Sequence, residues 1–321
     1  MNPPTIDDVY AARAQVYAVL NPTPLASHPL LSAALGLDIR VKHENHNPTG
    51  AFKVRGGVNL VSALSHTERR AGVISATTGN HGQSIAFACR RERVACTLAV
   101  PVANNPEKNA AMRAWGATLI EHGRDFDEAR ELVERLAVER GLRYVHSANE
   151  PLLVAGVATY ALEILDGWPD VDVVLVPIGG GSGAAGLVIV RNALGHRARI
   201  IGVQADGADA FARSWRTGTR VEAEAVATFA EGLATRVTFD LTYDILRSGL
   251  DDVVTLTEGE LAEGVRLALR TTHNLAEGAG AASIAAAARL TTQLQGRRVA
   301  CVMTGGNIDL RTLQRVVERE L

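Results

Sequence analysis

Cysteine is scarce in this sequence, and its spacing excludes two structural uses of the residue. The chain of 321 residues contains three cysteines, Cys89, Cys96 and Cys301. No two of them are spaced as in a disulfide framework or a cysteine-based zinc site. We therefore expect free thiols and a reducing compartment, the cytoplasm.

The sequence also lacks a block of basic residues and a long apolar run. Lysine and arginine number 33 against 35 acidic residues, for a net charge of −2. This balance argues against binding to nucleic acid, although a small anion needs only a local site. Residues 1–20 include Asp7 and Asp8 and have no signal-peptide core. No segment reaches membrane-spanning length without charges, so we expect no membrane partner.

Aromatic residues make up only 4% of the chain, whereas hydrophobic residues make up 47%. Alanine, valine and leucine must therefore build the core, which favours a buried parallel sheet covered by helices over an aromatic-rich sandwich. Predicted strands and helices alternate, as is typical of right-handed crossovers. The alternation restarts past Asn149. The sequence predicts an α/β fold in about two domains.

One lysine lies in a setting that favours chemistry. The stretch from Asn47 to Gly57 (NPTGAFKVRGG) puts Lys53 between apolar neighbours, after a turn and at the predicted start of a helix. A lysine in a partly dry, positively polarised place loses basicity and becomes an amine nucleophile. Carbonyl cofactors need such an amine to form a Schiff base. A solvated surface lysine is the alternative, and this stretch alone does not exclude it.

Three polar loops each follow a predicted strand. Gly179 to Gly183 (GGGSG) precedes a helix and matches neither GxGxxG nor the P-loop, which favours a single phosphate on its N–H groups. Thr77 to Gly82 (TTGNHG) offers groups that suit a carboxylate or a ring oxygen. Thr304 to Asn307 (TGGN) lies at the edge where open α/β sheets bind ligands. A tight turn, a helix N-cap and an ordinary turn are the respective alternatives.

Two other patterns do not support different chemistry. His43 to His46 (HENH) lacks the His-Glu-x-x-His spacing of a helical metal site, so we expect exposed polar residues there. No Gly-x-Ser-x-Gly elbow is present, which argues against a serine hydrolase.

The four motifs in this order resemble the fold-type II pyridoxal-phosphate enzymes, and within them the threonine/serine dehydratase and serine racemase group. The similarity runs from Thr23 to Leu310. It implies a fold like that of the tryptophan synthase β-subunit, with two open twisted parallel-type sheets flanked by helices. It also implies a large cofactor-binding domain, residues 1–62 and 150–321, and a small substrate-loop domain, residues 63–149.

The resemblance assigns roles to the motif residues. Lys53 would hold pyridoxal 5′-phosphate covalently, and Phe52 would contact its ring. Asn80 would bond the 3-hydroxyl, and Thr304 would face the pyridine nitrogen. The other cofactor residues implied are Gly179, Gly180, Gly181 and Ser182 around the phosphate with Gly183 adjoining, and Gly232 and Glu277 near the cofactor. The substrate residues implied are Thr77, Thr78, Asn80 and His81, of which Thr77, Asn80 and His81 would receive the carboxylate.

Two departures from the family pattern affect these expectations. Thr78 stands where serine racemase-like members use a serine for a second proton transfer, so Thr78 is a catalytic candidate whose extra methyl narrows that face. The family's metal site follows a strand like that at 200–203. Here its first and last positions are Gln204 and Ala210, with only Asp206 and Asp209 nearby, and we expect no metal site.

The activity implied is β-elimination from a β-hydroxy amino acid. The freed Lys53 would remove the Cα proton, the β-hydroxyl would leave, and a 2-oxo acid and ammonia would be released. L-Threonine or L-serine is the default substrate. The alternatives are an amino-acid racemase, a dehydratase of a bulkier substrate such as 3-hydroxyaspartate or phenylserine, and a non-catalytic ligand-binding protein. The family implies a homodimer.

Overall fold

The computed structural model describes residues 1–321 as fifteen α-helices and ten strands. The helices are α1 (Ile6–Tyr17), α2 (Pro29–Leu35), α3 (Val54–Ser62), α4 (His66–Ala71), α5 (Asn80–Glu92), α6 (Pro106–Ala114), α7 (Phe126–Arg140), α8 (Pro151–Gly167), α9 (Ser182–Ala193), α10 (Ala210–Thr217), α11 (Asp240–Gly249), α12 (Glu258–Thr272), α13 (Gly278–Arg289), α14 (Thr291–Leu294) and α15 (Leu310–Val317). The strands are β1 (Leu25–Ser27), β2 (Asp38–His43), β3 (Val73–Ala76), β4 (Cys96–Val100), β5 (Thr118–Glu121), β6 (Arg143–Tyr144), β7 (Val173–Pro177), β8 (Arg199–Ala205), β9 (Asp252–Leu256) and β10 (Arg298–Met303).

Six strands form the larger sheet, in the order β1-β2-β10-β7-β8-β9. All neighbours are parallel except β1, which pairs antiparallel with β2. One face packs against a core that includes α12 and α13, and the other against a core that includes α8 and α9. Because both faces are covered, β7 is buried along its whole length, as its unbroken apolar sequence requires.

Four parallel strands form the smaller sheet, in the order β5-β4-β3-β6. Helix α7 covers one face with an alanine- and leucine-rich stripe. The other face packs against α5 together with Val54, Val58 and Val61 of α3. The helix that begins directly after Lys53 therefore belongs to the packing of this sheet.

Helix α3 approaches both α5 and α8 very closely. A Cβ on Gly57 would lie 2.6 Å from the carbonyl oxygen of Ser84, and one on Gly156 would lie 2.6 Å from that of Arg55. Side chains larger than hydrogen would push these helices apart. The close crossing fixes the start of α3, and with it Lys53, between the two sheets.

The structure confirms the predicted α/β class with two mostly parallel sheets flanked by helices. The sequence pattern missed α4, α10, α11, α14, α15 and β1, which are all ten residues or shorter. Helix α5 begins at Asn80, so Asn80 and His81 lie on its first turn. No helix combines the length and the apolar composition needed to cross a bilayer.

Candidate active site

Loops from both sheets face a cavity of about 490 Å³. A second cavity of about 30 Å³ lies beside it, and Lys53, Asn80, Gly180, Gly232 and Glu277 border both. The predicted substrate residues line the larger cavity: Thr77, Thr78, Asn80 and His81. The remaining predicted cofactor residues line the smaller one: Phe52, Gly179, Gly181, Ser182, Gly183 and Thr304. The structure thus brings together every residue predicted for the site.

The chain contains only three lysines, so there are only three candidates for the amine nucleophile. Lys42 lies outside both cavities, where its ammonium pairs with Glu163 and donates to the carbonyl of Thr23 (2.5 Å). Lys108 lines the larger cavity but pairs with Glu231. Lys53 alone borders both cavities without a paired carboxylate. It is the one lysine whose amine can react there.

Burial lowers the pKa of Lys53 to about 8, since the ammonium loses hydration there, and Glu277 opposes the shift only partly. The amine lies 4.8 Å from the ring centroid of Phe52. Ser84 holds the backbone at this point, because its hydroxyl donates to the carbonyl of Lys53 (2.6 Å). A lysine with this pKa offers a usable fraction of free amine near neutral pH.

The glycine loop before α9 is shaped by the absence of side chains. Gly181 has φ = +88°, in the left-handed region that glycine tolerates best. A Cβ on Gly179 would overlap the carbonyl of Gly232, and one on Gly183 would lie 3.3 Å from the ring of Phe52. Helix α9 has no side-chain cap, so its first N–H groups are available to an anion.

Thr77 organises the loop that follows β3. Its hydroxyl oxygen accepts the N–H groups of Gly79 (3.0 Å) and Gly82 (2.9 Å). The hydroxyl hydrogen is therefore still available as a donor. Helix α5 starts at Asn80 with no side-chain cap, which leaves the N–H groups of Asn80 and His81 without intrahelical partners. These donors together suit a carboxylate.

The imidazole of His81 is neutral and has a defined tautomer. The hydroxyl of Ser75 donates to the carbonyl of Val145 (2.6 Å), so it must accept from Nε2–H of His81 (2.8 Å). Burial lowers the pKa of His81 to about 3, and the nearby Lys53 contributes. His81 can therefore meet a carboxylate with its backbone N–H but not with a ring charge.

Asn80 links three of the sequence motifs. Its Nδ2 donates to Oε1 of Glu277 (2.6 Å), and its Oδ1 accepts from Nδ2 of Asn307 (2.8 Å). Asn307, to which the sequence analysis gave no role, also donates to the carbonyl of Thr49 (2.8 Å). Burial raises the pKa of Glu277, and Lys108 opposes that shift. The amide of Asn80 is thereby fixed at the border of both cavities.

Lys108 is a site residue that the sequence did not reveal. It is buried against Gly79, where an added Cβ would lie 2.8 Å from its side chain. Burial alone would lower the pKa of Lys108, but the carboxylates of Glu277 and Glu231 outweigh it and raise that pKa. Its helix carries only the pattern of an ordinary Asn-capped, Pro-initiated helix. Nothing in that pattern distinguishes Lys108 from a surface lysine.

Behind Lys53 lies a buried group of charges, and here one expectation was wrong. The segment 43–46 was expected to be exposed, yet His43 and Glu44 are buried. The guanidinium of Arg55 donates to both oxygens of Glu44 (2.7 and 2.9 Å) and to both oxygens of Glu163 (2.6 and 3.0 Å). Lys42 also pairs with Glu163. Two cations and two anions compensate one another, which makes burial of Glu44 tolerable.

The comparisons with known proteins agree with this geometry. Residues 16–305 match the model of the family described as pyridoxal-phosphate dependent enzyme. The chain belongs to that family. The predicted membership and the predicted cofactor, pyridoxal 5′-phosphate, are thereby confirmed.

Several characterised members of the family are similar over nearly the whole chain. The L-threonine ammonia-lyase of Thermotoga maritima is 35% identical over 317 residues, covering 99% of this chain and 79% of the relative. That of Geobacter sulfurreducens is 40% identical over 291 residues, covering 90% and 72%. The L-threo-3-hydroxyaspartate ammonia-lyase of a Pseudomonas species is 32% identical over 303 residues, covering 94% and 95%.

Two solved structures of this family have the same fold. The processed form of threonine deaminase isoform 2 from Solanum lycopersicum superposes with a TM-score of 0.92 at 29% identity, covering 99% of this chain and 90% of that one. Maize serine racemase superposes with a TM-score of 0.93 at 25% identity, covering 99% and 98%.

The residues around the smaller cavity fit pyridoxal phosphate. The loop Gly179–Gly183 combines a left-handed glycine, Cβ-free surfaces and an uncapped helix start, which suits a phosphate. Thr304 brings a buried hydroxyl to the same cavity. Lys53 supplies the amine and Phe52 a ring surface. The groups that border this cavity are therefore compatible with the cofactor of the family.

At residues 204–210, where the sequence resemblance implies the metal site of the family, the side chains make other contacts. The side chain of Gln204 donates to the carbonyl of Ile178 (3.2 Å) and accepts from the N–H of Ala212 (2.8 Å). Asp209 pairs with Arg213 (2.8 Å). No group of three or more His, Cys, Asp or Glu side chains in the chain is arranged to hold a metal ion. The expected lack of a metal site stays a prediction.

Proposed function

We propose that this pyridoxal-phosphate enzyme is an ammonia-lyase that eliminates the β-hydroxyl of L-threonine or a close relative, giving a 2-oxo acid and ammonia. The observation that carries the proposal is the position of Lys53, the one unpaired lysine that borders both cavities. Identity of 35% and 40% to two L-threonine ammonia-lyases supports the same reaction.

The substrate carboxylate would bind at the start of α5. The N–H groups of Asn80 and His81 and the hydroxyl of Thr77 are the donors available there. Lys108 adds a positive charge close to Gly79 in the same loop. A carboxylate bound there would hold the Cα of the substrate in the same cavity as the amine of Lys53, the group that would remove the Cα proton.

Lys53 would act as the base at Cα. Its pKa of about 8 lets it accept a proton near neutral pH and release it again. Pyridoxal phosphate, when bound, draws electrons away from the Cα of an attached amino acid. Thr304 would meet the pyridine nitrogen with a hydroxyl in place of a carboxylate, which favours departure of the β-hydroxyl over a long-lived carbanion.

Amino-acid racemisation is the second candidate function, and Thr78 is the residue that supports it. Thr78 lines the larger cavity together with Lys53, so a second group that can carry a proton is available there. L-Serine tests this candidate directly. Formation of pyruvate without D-serine and without exchange of the Cα hydrogen would exclude a racemase.

Two measurements test the proposal. The holoenzyme should release 2-oxobutanoate and ammonia from L-threonine, whereas a colourless protein without turnover would favour a binding protein. Borohydride reduction followed by peptide mapping should find the cofactor on Lys53. Lys42 and Lys108 are the only other lysines, and label on either of them would overturn the assignment.

We also propose the domain division at 62/63 and 149/150, a homodimer and a cytoplasmic location. All strands of the smaller sheet come from residues 73–144, which supports the division. All three cysteines are free and buried, which supports a reducing compartment. Limited proteolysis near the two boundaries and sedimentation of the holoenzyme test the first two proposals.

A further inference from the structure

Apolar side chains form part of the lining of the larger cavity. Phe126, Val226, Val237 and Phe239 line it, and the ring of Phe239 lies close to the glycine loop. A Cβ built on Gly180 would lie 3.6 Å from that ring and 3.3 Å from the Cβ of Ala148. An apolar wall beside the phosphate loop is where a substrate side chain would lie.

The ring of Phe239 is held firmly in this position. Phe239 is the N-cap of α11, and its carbonyl accepts the N–H of Tyr243 (2.8 Å). The hydroxyl of Thr242 donates to the carbonyl of Gly180 (2.8 Å), which ties α11 to the glycine loop. His146 meets the ring edge-to-face, with centroids 5.3 Å apart. A preorganised aromatic surface of this kind offers the same edge-to-face contact to a ligand ring.

The segment 219–239 contributes a large part of the lining of this cavity. It is joined to the start of α7 by the ion pair between Arg236 and Asp127. Within the segment, the N–H of Ala223 donates to the carbonyl of Arg236 (2.9 Å). These apolar residues therefore border a partly open cavity, in which Val226 is itself 36% exposed.

The charges of the larger cavity disfavour a second carboxylate on the substrate. Its basic residues are Lys53, Lys108 and Arg236, and the last two are already paired with Glu231 and Asp127. An anionic side chain would find no free cation beyond those that serve the α-carboxylate. The acidic residues that line the cavity outnumber the basic ones: Asp125, Asp127, Glu224, Glu231 and Glu277.

We propose that this enzyme prefers β-hydroxy amino acids with an uncharged, aromatic-sized side chain, and that Phe239 determines this preference. The inference rests on the ammonia-lyase function proposed above and specifies its substrate class. The cavity of about 490 Å³ lies in the range of pockets that take drug-sized ligands, and the cofactor ring and the substrate would share it. The representative probe is L-threo-3-phenylserine.

The reaction on this probe needs no oxidant or reductant. The Cα–H and Cβ–O bonds break, and one water molecule leaves with the Cα proton. The enamine that remains takes up one water molecule and releases ammonia. Phenylserine thereby gives phenylpyruvate and ammonia.

The test compares kcat/KM of the holoenzyme for L-threo-3-phenylserine, L-threonine and L-threo-3-hydroxyaspartate, from the release of each 2-oxo acid. We expect kcat/KM for phenylserine to exceed that for threonine by about tenfold, the discrimination that a few additional apolar contacts supply. We expect kcat/KM to be lowest for hydroxyaspartate. If threonine is turned over and kcat/KM for phenylserine is equal to or lower than that for threonine, this inference is overturned, but the proposed function is not. Absence of any 2-oxo acid overturns the proposed function instead.

Variants identify the residue responsible. Phe239→Ala should lower the phenylserine-to-threonine ratio of kcat/KM about tenfold through loss of the aromatic contact. Phe87→Ala is the matched control, because Phe87 packs on Trp115 (5.0 Å) outside the cavity and should leave the ratio unchanged. Phe239→Leu serves if the alanine variant does not fold. L-Phenylalanine, which lacks the leaving group, should raise the Tm of the wild type more than L-alanine does. Equal Tm shifts with L-phenylalanine and L-alanine would contradict the role assigned to Phe239. So would a phenylserine-to-threonine ratio of kcat/KM that Phe239→Ala leaves unchanged.

Discussion

Replacing Arg55 by alanine tests how much the buried charges behind Lys53 contribute to the stability of the fold. Arg55 and Glu44 have fully buried side chains, and Glu163 is only 7% exposed. Without the guanidinium, Lys42 remains as the single cation beside two buried carboxylates. Breaking a buried pair in this way costs about 3–5 kcal/mol, because the charge left behind is not compensated. We expect the Tm of the cofactor-free protein to fall by roughly 4–8 °C.

The matched control is Arg113→Ala. Arg113 pairs with Glu121 (2.9 Å), but their side chains are 51% and 44% exposed. Such a pair contributes about 0–1 kcal/mol, so the control should unfold almost like the wild type. Thermal unfolding followed by circular dichroism at pH 7 measures all three proteins. A loss of less than about 1 kcal/mol in Arg55→Ala, equal to the control, would refute the argument from burial.

The pH dependence gives a second check on the same perturbation. Burial alone would raise the pKa of Glu44, but Arg55 and Lys42 outweigh it and hold that pKa below its ordinary value. A carboxyl with a depressed pKa stabilises the fold above its unfolded pKa and loses that contribution as the pH falls through the folded value. The difference between wild type and Arg55→Ala should be largest near pH 7 and should shrink in acid. A difference that does not change with pH would contradict this account.

Three further predictions concern the cavities. Because burial lowers the pKa of Lys53 to about 8, cofactor uptake by the cofactor-free protein should speed up as the pH rises through about 8 and then level off, as stopped-flow absorbance will show. Gly179→Ala puts a Cβ on the carbonyl of Gly232 and should weaken cofactor binding at least tenfold in a fluorescence titration. Gly259→Ala is the control, because its Cβ meets open space, and it should leave cofactor binding unchanged. Asp127→Asn removes the ion pair that joins α7 to the segment 219–239 and should raise the KM for L-threonine about two- to fivefold with little change in kcat; an unchanged KM would mean that this ion pair does not position the segment at the cavity.

The parts of the site that sequence reasoning found are those whose chemistry is local in the chain. The glycine loop could be predicted because four glycines fall within five consecutive positions, where the structure has the left-handed Gly181 and an uncapped helix start. The loop from Thr77 to Gly82 could be predicted because hydroxyl, amide and imidazole groups follow one another after an apolar strand. The roles of these residues still stand as predictions.

The parts that sequence reasoning missed depend on partners far away in the chain. Arg55 and Glu163 are separated by 108 positions, so neither shows that the other compensates its charge. Glu44 looks like a surface residue until this pair is known, which is why segment 43–46 was wrongly expected to be exposed. Lys108 and Phe239 belong to short, ordinary helix starts, and only the tertiary fold turns them toward the cavity.

The strand order has a consequence for the way this protein is synthesised. β10 (Arg298–Met303) is the last strand to leave the ribosome, yet it lies between β2 and β7 in the middle of the larger sheet. Until it is made, both of those strands present unpaired edges, which can recruit other chains. We expect nascent chains stalled before β10 to be protease-sensitive across β2 and β7, while the smaller sheet is already resistant. Pulse proteolysis of stalled chains measures this difference, and early protection of β7 would contradict it.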